Sequence, residues 1–586
     1  MDKYRWSSED IYENIEQWEK DYKIAAADYD FSAFKGKLCV KSSFVECMNK
    51  LRNISRLIEK LSVYAYMKHD EDTRDSTYDA LLSKIEMLGI KISTETAFIT
   101  PELTSMDDAV LNAYVSDEDL KAHKYFLQCI LKNKIHVLSE SEERILSLSA
   151  DAMSSFSDIF KKIDNADLPL GTFEYKGKKY PLTHGLYGMY LQNEDEQFRK
   201  KAFKAYYKAY TSLINTISAT YIGNVKKDVF FAKVRKYDSA LDKALSSEDV
   251  DVKVYETLIK AVNKNLPLLH RYMSEKKKAL KVKKLHMYSL SVPIQVGADL
   301  KIEYDKAYDL VVKGLAVLGM DYQNLLLKAY EERWLDVYER AGKRSGAYSI
   351  AVYDTHPYVL LNYTKTTHDV FTIAHEMGHS IHSYFSNKNQ PYETADYKIF
   401  VAEVASTVNE VLLIRYLIEN EKDIKQKRYL LSYLLEMIRT TLFRQTQFAE
   451  FEEYAHKTLE EGTPLTKDNL TEKYYALNKK YYGRSVVSDK EIGYEWLRIP
   501  HFYTAFYVYK YATGIISALS IANRILVEGE KAREDYFKFL SSGGSDSPVK
   551  LLKIAGVDLL NKKTFDDAFK IFKQTLDEFA SLNDNY

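Results

Sequence analysis

The stretch AHEMGHSIHSYF, residues 374–385, holds three histidines and one glutamate in a chain with 13 histidines among 586 residues. Its only weak helix former is Gly378, which costs about 1 kcal/mol relative to alanine. The spacing therefore predicts a helix, on which His375 and His379, four apart, share one face. Two neutral imidazoles so placed can hold one zinc ion, and an acid directly after the first histidine suits a general base acting on water beside that ion. Glu376 is that acid. His382 lies seven residues after His375, roughly 10.5 Å along a straight helix, so the two cannot share an ion through bonds of about 2.0–2.1 Å. His382 reads instead as a supporting or packing histidine, and the third ligand must come from another segment.

That segment lies shortly downstream. In IFVAEVASTVNEVLLIRYLI, from Ile399, Glu403 stands among Phe400, Val401, Ala402, Val404 and Ala405. A carboxylate in such a run is costly to bury unless paired or bound to metal, which makes Glu403 the candidate third ligand. Glu410 falls on the same face two turns later and is placed to orient a ligand imidazole through its other ring nitrogen. Upstream, SGAYSIAVYDTHPYVLLNYTK (345–365) is β-like. A strand edge here, at Gly346, Ala347 and Tyr348, is a natural seat for an extended peptide bound by main-chain hydrogen bonds, and Gly346 would let another backbone approach closely.

Composition bounds the alternatives. Hydrophobic residues make up 46% and charged residues 28%, with a formal net charge of −1. This is the profile of a large soluble protein with neither a nucleic-acid nor a membrane footprint. The N-terminal MDKYRWSSEDIYENIEQWEK has no apolar core or cleavage site of a leader, and no run of eighteen apolar residues occurs. Cys39, Cys47 and Cys129 are too scattered for a disulfide framework or a zinc site, which fits a reducing cytoplasm. The 48 tyrosines must be largely core or half-buried.

Helical periodicity dominates, as in the stretch from Ser42 to Asp72 and, interrupted near Pro267, in that from Ser247 to Leu280. TFEYKGKKYPL (172–182) reads as a hairpin turning at Lys176-Gly177, and KLHMYSLSVPI (284–294) as a further β-like run. The resulting division is 1–110, a helical region; 111–190, a lobe with the hairpin; and 191–586, the catalytic domain. Near the C-terminal end, YEWLRIPHFYTAFYVYKYATG (494–514) is dense in rings, with Tyr503, Tyr507 and Tyr511 spaced like one helix face. Such hydroxyls, with an imidazole N–H at His501, suit the stabilisation of an oxyanion.

These segments together resemble the oligoendopeptidase F family of zinc metallopeptidases, relatives of thimet oligopeptidase. The resemblance runs over nearly the whole chain, from RWSSEDIY and LTHGLYGMYLQNEDEQFRKKAF through KRSGAYS, YVLLNYTKTTHDVFTIAHEMGHSIHSYF and VAEVASTVNEVLL to RIPHFYTAFYVYKYATG. It implies one zinc per chain on His375, His379 and Glu403, Glu376 as general base, and His501 with Tyr503 or Tyr507 at the oxyanion. It also implies a mainly α fold, a large helical shell around a deep cleft with a small β-sheet next to the zinc-binding helix. Such a protein cuts internal bonds of short peptides. The nearest rival is a carboxypeptidase or dipeptidase on the same scaffold, which needs a cation for the free carboxylate. A more distant one is a non-catalytic helical peptide-binding protein.

Overall fold

The computed structural model describes residues 2–294 and 301–583. The chain is 73% helical, with small sheets only. Contacts divide it into two units, each assembled from separated segments. The first is Met1–Ile135, Asp299–Leu417 and Ile521–Asp558; the second is His136–Ala298, Ile418–Ser520 and Leu559–Tyr586. Linear boundaries at 110/111 and 190/191 therefore do not coincide with the edges of these units, because each unit's core is closed by segments far apart in sequence.

The first unit contains the long helix α1 (Lys41–Glu71). Its apolar stripe, including Phe44, Leu61 and Met67, packs into a core with Trp18, Leu103 and Leu127. The second unit holds the expected hairpin, β1 (Thr172–Tyr175) paired antiparallel with β2 (Lys178–Pro181). Lys176 and Gly177 turn it with φ of 49° and 73°. Two left-handed central residues give the backbone twist that a two-residue hairpin needs. The break near Pro267 separates the helices Val252–Lys264 and Leu266–Ala279, with the proline in the first turn of the second, where its missing N–H costs nothing.

A three-stranded sheet in the first unit is built from β3 (Leu335–Asp336), β4 (Tyr348–Ile350) and β5 (Tyr358–Leu360), in the order β3-β5-β4. Strand β5 is central, parallel to β3 and antiparallel to β4. Strand β4 is thus an edge, with no strand on its outer side among the described residues. The KLHMYSLSVPI run yields only the two-residue strand Leu285–His286.

Immediately after the sheet comes α2 (Thr367–Asn389), which carries the histidine motif, then α3 (Ile399–Asn420), which carries Glu403. Helix α2 starts on a reciprocal cap between Thr366 and Asp369, which satisfies two of the free N–H groups of the first turn. Later in the chain come α4 (Arg444–Glu460) and α5 (Tyr509–Glu528). Many tyrosines are core residues in the second unit: Tyr207, Tyr210, Tyr221, Tyr255, Tyr272, Tyr474 and Tyr481 are fully buried. Cys39, Cys47 and Cys129 are all free thiols. No described helix is long and apolar enough to cross a membrane.

Candidate metal centre

The site is made by the crossing of α2 and α3. Gly378 is the contact point: a β-carbon there would stand 2.5 Å from Ser406 Cα and 2.8 Å from the Ala405 carbonyl oxygen. Only a glycine lets the two backbones approach this closely. Around it α2 buries Phe371, Ala374, Met377 and Ile381, and α3 buries Phe400, Val404, Ala405 and Val408. Asn409, fully buried, locks the crossing. Its amide donates to the Ala374 carbonyl (3.0 Å), and its oxygen accepts from Tyr322 Oη (2.8 Å).

This crossing brings His375, His379 and Glu403 together. The two Nε2 atoms face each other at 3.2 Å, and Glu403 Oε2 lies 3.4 Å from the first and 3.7 Å from the second. For bonds of about 2.0–2.1 Å in tetrahedral array, ligand atoms on one zinc stand roughly 3.3–3.4 Å apart. The triangle fits such an ion. Its electrostatics agree. His375 Nδ1 donates to Glu410 Oε1, which points Nε2 at the centre, where a metal would displace its proton. Burial opposes charge on His375, yet its bonds to Glu403 and Glu410 raise its pKa to about 10. Burial and the neighbouring His375 pull His379 down to about 4, and the hydrogen bond to His375 holds Glu403 below the ordinary carboxylate range. A donor set of two imidazoles and a carboxylate suits a divalent cation.

The apolar run around Glu403 points to a buried carboxylate, but its side chain is 42% exposed. It opens into a cavity of about 960 Å³ whose lining includes His375, Glu376, His379 and Glu403. Glu376 is only 7% exposed. Burial first, then the charges of Glu403 and Glu410, raise its pKa to about 7, against the pull of His375. No Lys or Arg is among the described residues lining this cavity.

The strand edge forms the adjoining wall. Ala347, Tyr348, Ser349, Ile350 and Ala351 line the cavity, and Ser349 Oγ meets Ser380 Oγ of α2 at 2.8 Å. Gly346 lies on an adjoining pocket shared with Ala347. What demands glycine there is φ of +93°, since a β-carbon would meet nothing within 4 Å. The Tyr348 hydroxyl turns to Asp70 (2.8 Å), so this residue offers the cavity its backbone more than its phenol.

His382 stands apart from the candidate ligands, two turns along an unbroken α2 from His375. It is buried, with its ring stacked 3.8 Å from that of Tyr397. Burial lowers its pKa to about 3, so it packs as a neutral ring.

The aromatic segment belongs to the second unit and departs from the helix face expected of it. Residues Lys490–Arg498 and Pro500–Tyr503 are 3₁₀ turns, and regular helix begins only at Tyr509. Tyr503 is consequently a core residue, 8% exposed, stacked 4.4 Å from Phe160 with its hydroxyl 2.9 Å from Thr220 Oγ1. That placement engages its hydroxyl with Thr220. His501 is exposed and clusters with Tyr507, ring to ring at 5.9 Å, and with Tyr511, whose Oη is 3.3 Å from His501 Nε2. Tyr511 shares the spacing of Tyr503 and Tyr507 in the sequence but is not among the donors that the family resemblance implies.

Comparison with known proteins adds the family context. The profile described as Peptidase family M3 matches residues 189–571, and that described as Oligopeptidase F matches residues 102–169. Oligopeptidase PepF of Bacillus subtilis is 42% identical over 581 residues, spanning 98% of this chain and 87% of that protein. An oligoendopeptidase F homolog of Borreliella burgdorferi is 39% identical, spanning 99% and 98%. Among solved structures, a candidate peptidase from Chlamydophila abortus superposes with a TM-score of 0.95 at 36% identity, covering 99% of this chain and 98% of that one. Oligoendopeptidase-F from Enterococcus faecium gives 0.73 at 35% identity, covering 97% and 99%.

Proposed function

The chain belongs to peptidase family M3, and from that premise we propose that it is a zinc-dependent endopeptidase cutting internal bonds of short, unfolded oligopeptides. The observation that carries this reading is the convergence of three ligand atoms beside Glu376, in a cavity walled by an open strand edge. His375 Nε2, His379 Nε2 and Glu403 would hold one zinc. When bound, zinc supplies Lewis acidity, making water a nucleophile near neutral pH and favouring negative charge on a carbonyl oxygen.

The chain's own groups do the rest. Glu376 takes the proton of the attacking water on its carboxylate and passes it to the leaving amine nitrogen. Glu410 keeps His375 in the tautomer that presents Nε2. The outer edge of β4 holds the substrate extended through main-chain hydrogen bonds. His501 and Tyr507, with Tyr511 bridging to His501, donate to the oxyanion. Support for that last role comes from the family resemblance, the exposure of His501 and the contacts within the trio. The three free thiols support a reducing, cytoplasmic location.

A carboxypeptidase would need a cation facing the substrate's free carboxylate, and the described cavity lining lacks one. The test is a peptide of about ten residues, roughly 33 Å when extended, blocked at both ends and digested with and without chelator. Mass spectrometry should find internal cuts that chelation abolishes and zinc restores. Trimming of single C-terminal residues or dipeptides from the unblocked peptide, with the blocked one untouched, would favour the carboxypeptidase. Binding without cleavage would leave a peptide-binding protein.

A further inference from the structure

Glu452, on α4 in the second unit, is a carboxyl group that the proposed chemistry does not use. It is fully buried. Its Oε1 accepts from the Phe506 backbone N–H at 3.1 Å, and its Oε2 has no hydrogen-bond partner among the described residues. Burial, with Asp228 adding to it, disfavours the ionised form and raises its pKa well above the ordinary carboxylate range despite the Phe506 N–H. A hydrocarbon in its place would avoid the desolvation cost, so the position calls for an explanation.

The explanation lies in what the acid holds. Phe506 has φ of +52°, a left-handed conformation that a bulky non-glycine residue keeps only when its surroundings impose it. Three residues along one stripe of α4, four apart, impose it. Phe448 meets the Phe502 ring at 5.5 Å, Glu452 takes the Phe506 N–H, and His456 covers the Phe506 ring at 4.5 Å. Tyr255 closes the Phe506 ring from another side at 5.7 Å. Only the middle contact acts on the backbone. It does so between His501 and Tyr507, in a loop otherwise tied by Thr504 N to the His501 carbonyl (3.0 Å) and Tyr507 N to the Thr504 carbonyl (3.3 Å). A rotation at Phe506 would swing Tyr507 away from His501.

We propose that Glu452 is a positioning residue for the oxyanion groups: its buried carboxyl, by accepting the Phe506 N–H, fixes the left-handed turn that sets Tyr507 against His501. The proposal rests on the reading of His501 and Tyr507 given under the proposed function, and the experiment separates the two.

Glu452→Met keeps the volume and removes the acceptor, whereas Glu452→Gln keeps an acceptor oxygen. On the blocked peptide, Glu452→Met should lower kcat about tenfold or more, with KM within about twofold and zinc content unchanged. Glu452→Gln should stay within about threefold of the parent. In a Tyr507→Phe background, Glu452→Met should cost less than about twofold more, since the hydroxyl it positions is gone. A folded Glu452→Met protein with unchanged kcat, or one whose loss persists undiminished in the Tyr507→Phe background, would overturn the proposal. So would a folded Glu452→Gln protein that loses kcat tenfold, and this comparison decides if the Met variant does not fold. A His501→Ala protein with normal kcat would instead retract the oxyanion reading itself.

Discussion

The crossing of α2 and α3 and the loop 500–508 hold their functional side chains by different means. In the crossing, two regular helices meet backbone to backbone at Gly378, and the site positions follow from helical repeat: the candidate ligands His375 and His379 four apart, and Glu403 and the supporting Glu410 seven apart. In the loop, 3₁₀ turns and a left-handed residue replace regular repeat, and one buried acid carries the backbone constraint. Side chains on a helix are placed by the helix. Side chains on such a loop are placed by whatever the loop leans on.

The largest effect should come from the chemistry at the crossing. Glu376→Gln matches the native side chain in shape but cannot accept a proton, so kcat should fall about 10³-fold. Zinc content should be unchanged, and metal analysis beside turnover checks both halves. If near-normal kcat survives, the base lies elsewhere and the crossing is only a metal clamp.

Next comes the loop. His501→Ala should lower kcat on the order of 10²-fold with little change in KM, as loss of an oxyanion donor does. Steady-state kinetics on the blocked peptide would show it. A rise in KM alone would mean that this group binds substrate and does not act on the transition state.

The same contrast explains what is legible in the sequence. The histidine pair of the candidate metal site can be found because spacing on a helix is geometry, and α2 is unbroken from Thr367 to Asn389. Glu403 is reached through the cost of burying a carboxylate, although it opens into the cavity; a run as apolar as FVAEVA marks a packed helix, and its lone acid faces that cavity. Gly378 looks like a mild helix defect, because its reason is a second backbone that only the fold supplies. Tyr503 and Tyr507 look equivalent on an assumed helix, but the 3₁₀ turns send Tyr503 to the core and leave Tyr507 beside His501. No periodicity encodes that choice. The mainly helical class, the hairpin and the edge strand are legible from local pattern; the assembly of each unit from distant segments is not.

A smaller effect tests the crossing without touching a ligand. Gly378→Ala forces a β-carbon into the Ser406 backbone, and overpacking of this kind costs about 1–3 kcal/mol. Thermal unfolding should show a lowered Tm, and competition with a chelator should show zinc held roughly tenfold more weakly. An Ala variant with parental zinc affinity would mean that the ligand triangle tolerates a wider crossing than its distances suggest.

The smallest effect belongs to Tyr503. Tyr503→Phe removes only the contact with Thr220, so stability should fall by about 1 kcal/mol and kcat should stay within about twofold. A denaturation curve and a turnover measurement suffice. A large loss of kcat would show that this buried hydroxyl, and not Tyr507, is the donor.

Everything proposed for the chemistry depends on the α2–α3 crossing alone defining one metal site. Anomalous diffraction at the zinc edge, on crystals of the unmodified protein grown with zinc, tests this most directly. The predicted result is one strong peak per chain, about 2.0–2.2 Å from His375 Nε2, His379 Nε2 and a Glu403 carboxylate oxygen. A map without density between these three side chains, or with its strongest peak on other residues, would contradict it.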